Sequence, residues 1–171
     1  MITAEPIGNV RAVLGEGPFW NAESDSLLWV DIMGKNIHEF KTVDESERGF
    51  QVPGNPGCVV ACGEHRLLAA IDNALHLIDG FGGPMHHFSG VEDDPRLRFN
   101  DGKCDSRGRL WVGSMDREES EPLGSLYCVS APPVPVSVMT GVTVSNGIAW
   151  SPDEKKMYYI DSPRRCVWAM D

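Results

Sequence analysis

Short apolar runs behind polar turns recur along the chain. The segments 26–31 (SLLWVD), 66–71 (RLLAAI), 109–113 (RLWVG) and 156–161 (KMYYID) are β-branched, aromatic or aliphatic and of strand length. Each follows a cluster of turn formers, at 21–25, 62–65, 105–108 and 151–154. Weaker runs at 37–40, 74–78, 125–129 and 166–169 come after short connections, as the next strand of a meander should. The strong runs centre on Trp29, Leu68, Trp111 and Tyr159, 39, 43 and 48 residues apart. That interval is too long for a leucine-rich repeat and fits a four-stranded propeller blade of roughly 40–50 residues. No stretch shows helical periodicity, and 18 glycines and 12 prolines punctuate the chain. The expected fold is therefore all-β, a β-propeller. The acidic runs 44–48 and 118–122 are expected to be surface loops, and no linker divides residues 1–171 into two domains.

A second repeat overlies the first. Gly15-Glu16-Gly17-Pro18-Phe19-Trp20, Asn100-Asp101-Gly102-Lys103 and Ser145-Asn146-Gly147-Ile148-Ala149-Trp150 each set a carboxylate or carboxamide before a glycine. Glu16 and Asn146 are both followed by Gly at one position, Trp at four and Asp at fifteen, namely Asp31 and Asp161. A repeat that returns an oxygen donor to the same point can assemble a site for a hard cation. Taken singly, Glu16 reads as a solvated turn residue and Asn146 as an Asx turn before glycine.

Composition narrows the partners. A net charge of −10 and a pI near 4.9 argue against nucleic acid or an anionic membrane, both of which need a basic footprint. They suit a cation or a neutral small molecule, and also serve solubility. With 42% hydrophobic and 23% charged residues the chain is globular. No apolar run approaches the roughly 18–20 residues of a membrane span. Residues 1–10 have no basic stretch before an apolar one, so no secretory signal and a cytoplasmic location are expected. The five cysteines, at 58, 62, 104, 128 and 166, match no zinc spacing and read as reduced, mostly buried thiols. The five histidines show no ligand spacing and read as structural or surface residues.

With these motifs in order, the chain resembles the family of gluconolactonase, regucalcin (senescence marker protein) and luciferin-regenerating enzyme. The matching stretches are 15–20, 27–32, 98–103, 108–115 and 145–147 through 158–162, and they span essentially the whole chain in the family's order. The resemblance implies a six-bladed propeller with one divalent cation at the mouth of its channel, Ca²⁺ foremost and Zn²⁺ or Mn²⁺ accepted. At 40–50 residues per blade this chain would supply about three to four blades, the N-terminal part of such a propeller. A four-bladed ring is the alternative.

The resemblance also implies roles. Glu16 and Asn146 take the positions of metal ligands, and Arg98, Asn100 and Glu118 those of substrate contacts. Asp101 is expected to shape its Asp-Gly turn. The implied activity is metal-dependent hydrolysis of sugar lactones, with an Asp that is both metal ligand and general base. That Asp would lie well beyond Asn146 in a blade this chain does not contain, and neither Asp161 nor Asp171 occupies its motif. Two other readings stand beside this one: a non-catalytic calcium-binding protein of the regucalcin type, and a propeller remnant without metal.

Overall fold

The computed structural model describes residues 2–91, 94–130 and 134–171; Met1, part of the N-terminal segment considered above, lies outside them. The strands form four antiparallel sheets, each a meander in chain order. The first holds β1 (Gly15–Asn21), β2 (Ser26–Asp31), β3 (Asn36–Lys41) and β4 (Glu47–Gln51). The second holds β5 (Pro56–Ala61), β6 (Arg66–Ile71), β7 (Ala74–Asp79) and β8 (Met85–Gly90). The third holds β9 (Leu97–Cys104), β10 (Leu110–Asp116), β11 (Gly124–Ser130) and β12 (Val134–Val142). The fourth holds β13 (Ser145–Trp150), β14 (Met157–Asp161) and β15 (Cys166–Met170). The first strand of each sheet packs on the first strand of the next, β1 on β5, β5 on β9 and β9 on β13. This is the blade arrangement of a β-propeller, four blades in series around the inner strands. Among the described residues no helix is long and apolar enough to cross a membrane.

The core lies between blades, and this explains the apolar runs. Leu67, Ala69 and Ile71 of β6 pack with Leu28, Val30 and Ile37 of the first blade. Leu68 and Ala70, on the opposite face of the same strand, pack with Phe99, Leu110 and Val112 of the third. A strand buried on both faces has no polar alternation to show, so 66–71 reads as a continuous run. A third cluster, with Leu126, Ile148, Met157 and Tyr159, joins the third and fourth blades.

Two expectations need correction. The acidic run 44–48 is not all loop, because β4 begins at Glu47, whose polar strand has a partner on one side only. The cysteines are not mostly buried: all five are free, but only Cys58 is buried, three are half-buried and Cys166 is exposed. Among the histidines, His38 stacks on Trp29, His76 meets His87 edge to face, and His86 faces Asp79 at 3.0 Å.

The inner strands approach closely enough to exclude side chains. A Cβ on Gly57 of β5 would stand 2.4 Å from the Asn100 carbonyl oxygen and 2.7 Å from that of Phe99, both backbone atoms of β9. Neither can move without shifting a strand, so Gly57→Ala should cost about 1–3 kcal/mol. Gly90→Ala, whose nearest neighbour would be the His87 ring at 3.9 Å, should stay within about 0.5 kcal/mol of wild type. Urea unfolding of the two variants checks this, and equal midpoints would show that the approach of β5 to β9 is not tight.

Candidate functional site

Each inner strand is bulged, near its start in β1, β5 and β13 and at mid-strand in β9. Pairing shifts between Glu16 and Phe19 in β1, between Pro56 and Cys58 in β5, and between Asn146 and Ile148 in β13. In β9 the break opposite Val112–Ser114 leaves Asn100 and Asp101 out of the ladder. Gly17 and Gly147 sit at φ +59° and +57°, a conformation that a side chain resists and a bulge uses to re-aim its neighbours. Glu16 pairs with Val30 and Asn146 with Ile160, so the two occupy equivalent positions in their blades.

The aspartates fifteen residues on serve the fold. Asp31 accepts the amides of Val13, Leu14 and Gly34 at 2.9–3.0 Å, and Asp161 those of Thr143 and Val144 at 3.0 and 2.9 Å. Each thereby ties the end of a second strand to the chain leading into its own blade. Burial pushes the Asp31 carboxyl up, but the three amides outweigh it and leave its pKa lowered.

One cavity of about 450 Å³ lies among the inner strands, lined by Glu16, Trp20, Asp101, Lys103 and Gly147 with their neighbours. Glu16 is exposed at its edge and makes no hydrogen bond or ion pair with the described residues. Asp101 is a functional candidate that sequence reasoning assigned to a turn. Burial raises its pKa, while the amides of Gly102 and Gly147 and the charge of Lys103 pull the other way. Its Asp-Gly dipeptide was the available signal, but the same dipeptide marks any tight turn.

Arg98 and Asn100 are joined. Arg98 donates to the Asn100 carboxamide oxygen at 2.7 Å and to the Phe99 carbonyl at 3.0 Å. The Asn100 Nδ2 donates to the Ser145 carbonyl at 2.8 Å, linking the third blade to the fourth. Asn100 thus holds Arg98 and β13 with the two ends of one amide. Burial lowers the Arg98 pKa, and the charges of Glu119, Arg117, Asp72 and Glu16 all act on it.

Asn146 is half-buried, with its oxygen 3.1 Å from the Gly147 amide and its nitrogen 3.4 Å from Ser162 Oγ. Glu118 is exposed and lines a separate cavity of about 530 Å³ with Arg96, Arg117 and Glu121. The loop carboxylate acting most strongly on Arg98 is that of Glu119.

The oxygen donors Glu16 and Asn146, on strands that both line the cavity, suit a hard cation in kind. In number they fall short of a full shell. Among the described residues no group of three or more His, Cys, Asp or Glu converges to hold a metal.

Residues 14–171 match the profile of the SMP-30/Gluconolactonase/LRE-like region. The chain belongs to this family. Its relatives include the 6-deoxy-6-sulfogluconolactonase of Pseudomonas putida, 32% identical over 162 residues, which are 92% of this chain and 54% of that protein. Regucalcin of Danio rerio is 31% identical over 172 residues, 99% of this chain and 58% of its own. Among solved family structures, luciferin-regenerating enzyme superposes with a TM-score of 0.88 at 29% identity, over 94% of this chain and 56% of that one. A calcium-binding protein, regucalcin from Agrobacterium tumefaciens, gives 0.89 at 27%, over 95% and 56%. The chain therefore spans little more than half the length of these relatives.

Asp116, at the end of β10, organises the loop that carries Glu118. The Glu121 amide, the Ser120 hydroxyl and amide and the Glu118 amide all point at its carboxylate and, against desolvation, hold its pKa at about 2 instead of 3.8. A depressed carboxylate stabilises the fold above its ordinary pKa and loses that contribution as pH falls through the folded value. Amide exchange protection at Glu118, Ser120 and Glu121, corrected for intrinsic rates, should therefore persist at pH 4 and disappear as the pH approaches 2. Loss near pH 4 would show that Asp116 is not held this way.

Proposed function

We propose that this chain belongs to a metal-dependent hydrolase of sugar lactones and supplies part of its site. Glu16 and Asn146 would hold one divalent cation, Ca²⁺ foremost with Zn²⁺ or Mn²⁺ as alternatives, and Arg98, Asn100 and Glu118 would contact the sugar lactone. The observation that supports this most is the Glu16 carboxylate, without a partner among the described residues, on the cavity shared with Asp101 and Gly147 and in register with Asn146. An exposed carboxylate with no partner among the described residues, whose charge acts on the half-buried Arg98, is open to a ligand, and the family has lactonase-named members.

When bound, the cation polarises the lactone carbonyl and stabilises the negative charge that develops on its oxygen. Arg98 offers guanidinium donors to the ring hydroxyls or ring oxygen, oriented by its bond to Asn100. Glu118 accepts from hydroxyls at the outer rim. The general-base Asp implied by the family resemblance has no counterpart among the motif-matched residues of this chain. A location in the cytoplasm accompanies the reading as an expectation.

The regucalcin relatives, and the calcium-binding description of one solved neighbour, favour a second reading in which the same donors bind Ca²⁺ without turnover.

The test is a pair of titrations on the purified chain. A ligand that binds only the folded state raises Tm, by about 5–10 °C at a hundredfold excess over Kd. Ca²⁺ should produce such a rise in wild type and not in Glu16→Gln or Asn146→Ala, while the Tm of both variants in chelator stays near wild type. Calorimetric titration with D-gluconolactam in saturating Ca²⁺ then separates the readings, because binding of an unreactive lactone mimic does not need the general base. Lactam binding supports the lactonase, and Ca²⁺ stabilisation without lactam binding supports the calcium binder. If no cation stabilises the protein, both fall and a metal-free remnant is left.

A further inference from the structure

The loop between β10 and β11 is anchored to another blade by one side chain. Arg117 donates Nη2 to Asp72 Oδ1 at 2.7 Å, Nη1 to Asn55 Oδ1 at 3.2 Å and Nε to the Pro95 carbonyl at 3.1 Å. Asp72 directly follows the second strand of the second blade, Asn55 precedes its first strand, and Pro95 precedes the first strand of the third. Asn55 extends the connection, donating Nδ2 to the Ile32 carbonyl of the first blade at 2.8 Å and its amide to Asp72 Oδ1 at 3.2 Å. A single guanidinium thus joins the second and third blades, and Asn55 carries the link on to the first.

We infer that Arg117 is a positioning residue, which fixes the 116–121 loop, and with it Glu118, at a set distance from Arg98 and the central cavity. This inference rests on the lactone-site reading above.

Two features argue against an ordinary surface ion pair. The Arg117 and Asp72 side chains are each about a third exposed, at 32% and 38%, and an isolated pair in that setting contributes little. Here, however, the planar fork meets acceptors on three separate segments at once, which a single Coulomb contact does not require. The loop also has an internal organiser in Asp116, and Arg117 is the tie that holds that bonded turn against the second blade. What Arg117 adds is the loop's position relative to the second blade. Its neighbour Glu119 stands at φ +57°, a conformation uncommon for a side-chain-bearing residue, so the chain reverses abruptly just past the anchor.

Amide hydrogen exchange of wild type, Arg117→Gln and Arg117→Lys tests the mooring. In Arg117→Gln, exchange at 118–121 should rise at least fivefold, with β6 and β10 unchanged. Arg117→Lys keeps the charge but not the three-way fork and should fall between. Unchanged exchange in the loop, or a uniform rise across all four blades, would overturn the inference.

Calorimetric titration with D-gluconolactam, a hydrolysis-resistant lactone mimic, in saturating Ca²⁺ tests the positioning. Kd should rise about tenfold in Arg117→Gln while Ca²⁺ affinity stays at the wild-type value. Equal lactam affinity in wild type and variant would overturn the positioning role alone. No lactam binding by wild type would overturn the lactone reading and the positioning role with it.

Discussion

The close approach of the inner strands is the constraint on which the molecule depends. Gly57 lies against the carbonyls of Phe99 and Asn100, and a Cβ on Gly102 would stand 2.5 Å from the Cys58 sulfur. At Gly113 a Cβ would overlap the Ser145 side chain of the next blade. Any of these side chains would wedge two blades apart. Because the strands converge, the bulges of β1, β9 and β13 open onto one cavity, and residues from distant parts of the chain share one environment. The apolar clusters between blades supply the driving force for burial, but the glycines set how near the polar ends can come.

The acidic character of the chain divides into two uses. Asp31, Asp116 and Asp161 end the second strands of their blades and Asp72 directly follows that of the second, and all are engaged by amides, hydroxyls or guanidinium groups. These carboxylates close the blades and fix the loops between them. Glu16 stands apart, exposed and without a side-chain partner among the described residues, and its charge acts on the half-buried Arg98. The four aspartates have their lone pairs engaged, whereas the Glu16 carboxylate stays open to solvent, and this difference sets Glu16 apart from them.

Neighbouring blades also decide which apolar residues are core. β6 has both faces covered, since blades flank it on either side. In β2 only Leu28 and Val30 are buried among the apolar residues, and Leu27 and Trp29 on the other face stay half-exposed. β14 behaves likewise, with Met157 and Tyr159 buried and Tyr158 exposed. Runs that look alike in composition therefore differ in burial according to their place in the series of blades.

Much of the fold was legible. The spacing of Trp29, Leu68, Trp111 and Tyr159 marked the second strand of each blade, because that strand lies between two others and most of its residues are buried. The outer strands β4, β8 and β12 were not legible. They pair on one side only and carry polar residues or, at Pro135, a residue that cannot donate to a ladder. Of the site, the equivalence of Glu16 and Asn146 could be read from sequence, because it is a relation between repeats and each repeat is local. The lock between Arg98, Asn100 and Ser145, the burial of Asp101 and the span of Arg117 to Asn55 and Asp72 could not be read. They depend on contacts between blades, across 45 to 62 residues in the hydrogen bonds that make them. Local pattern determined the blade, its turns and its oxygen-bearing bulge. Only the packing of one blade against the next decided which of those polar groups became structural and which stayed free, since a side chain's hydrogen-bond partners and solvent access are set by neighbours distant in sequence.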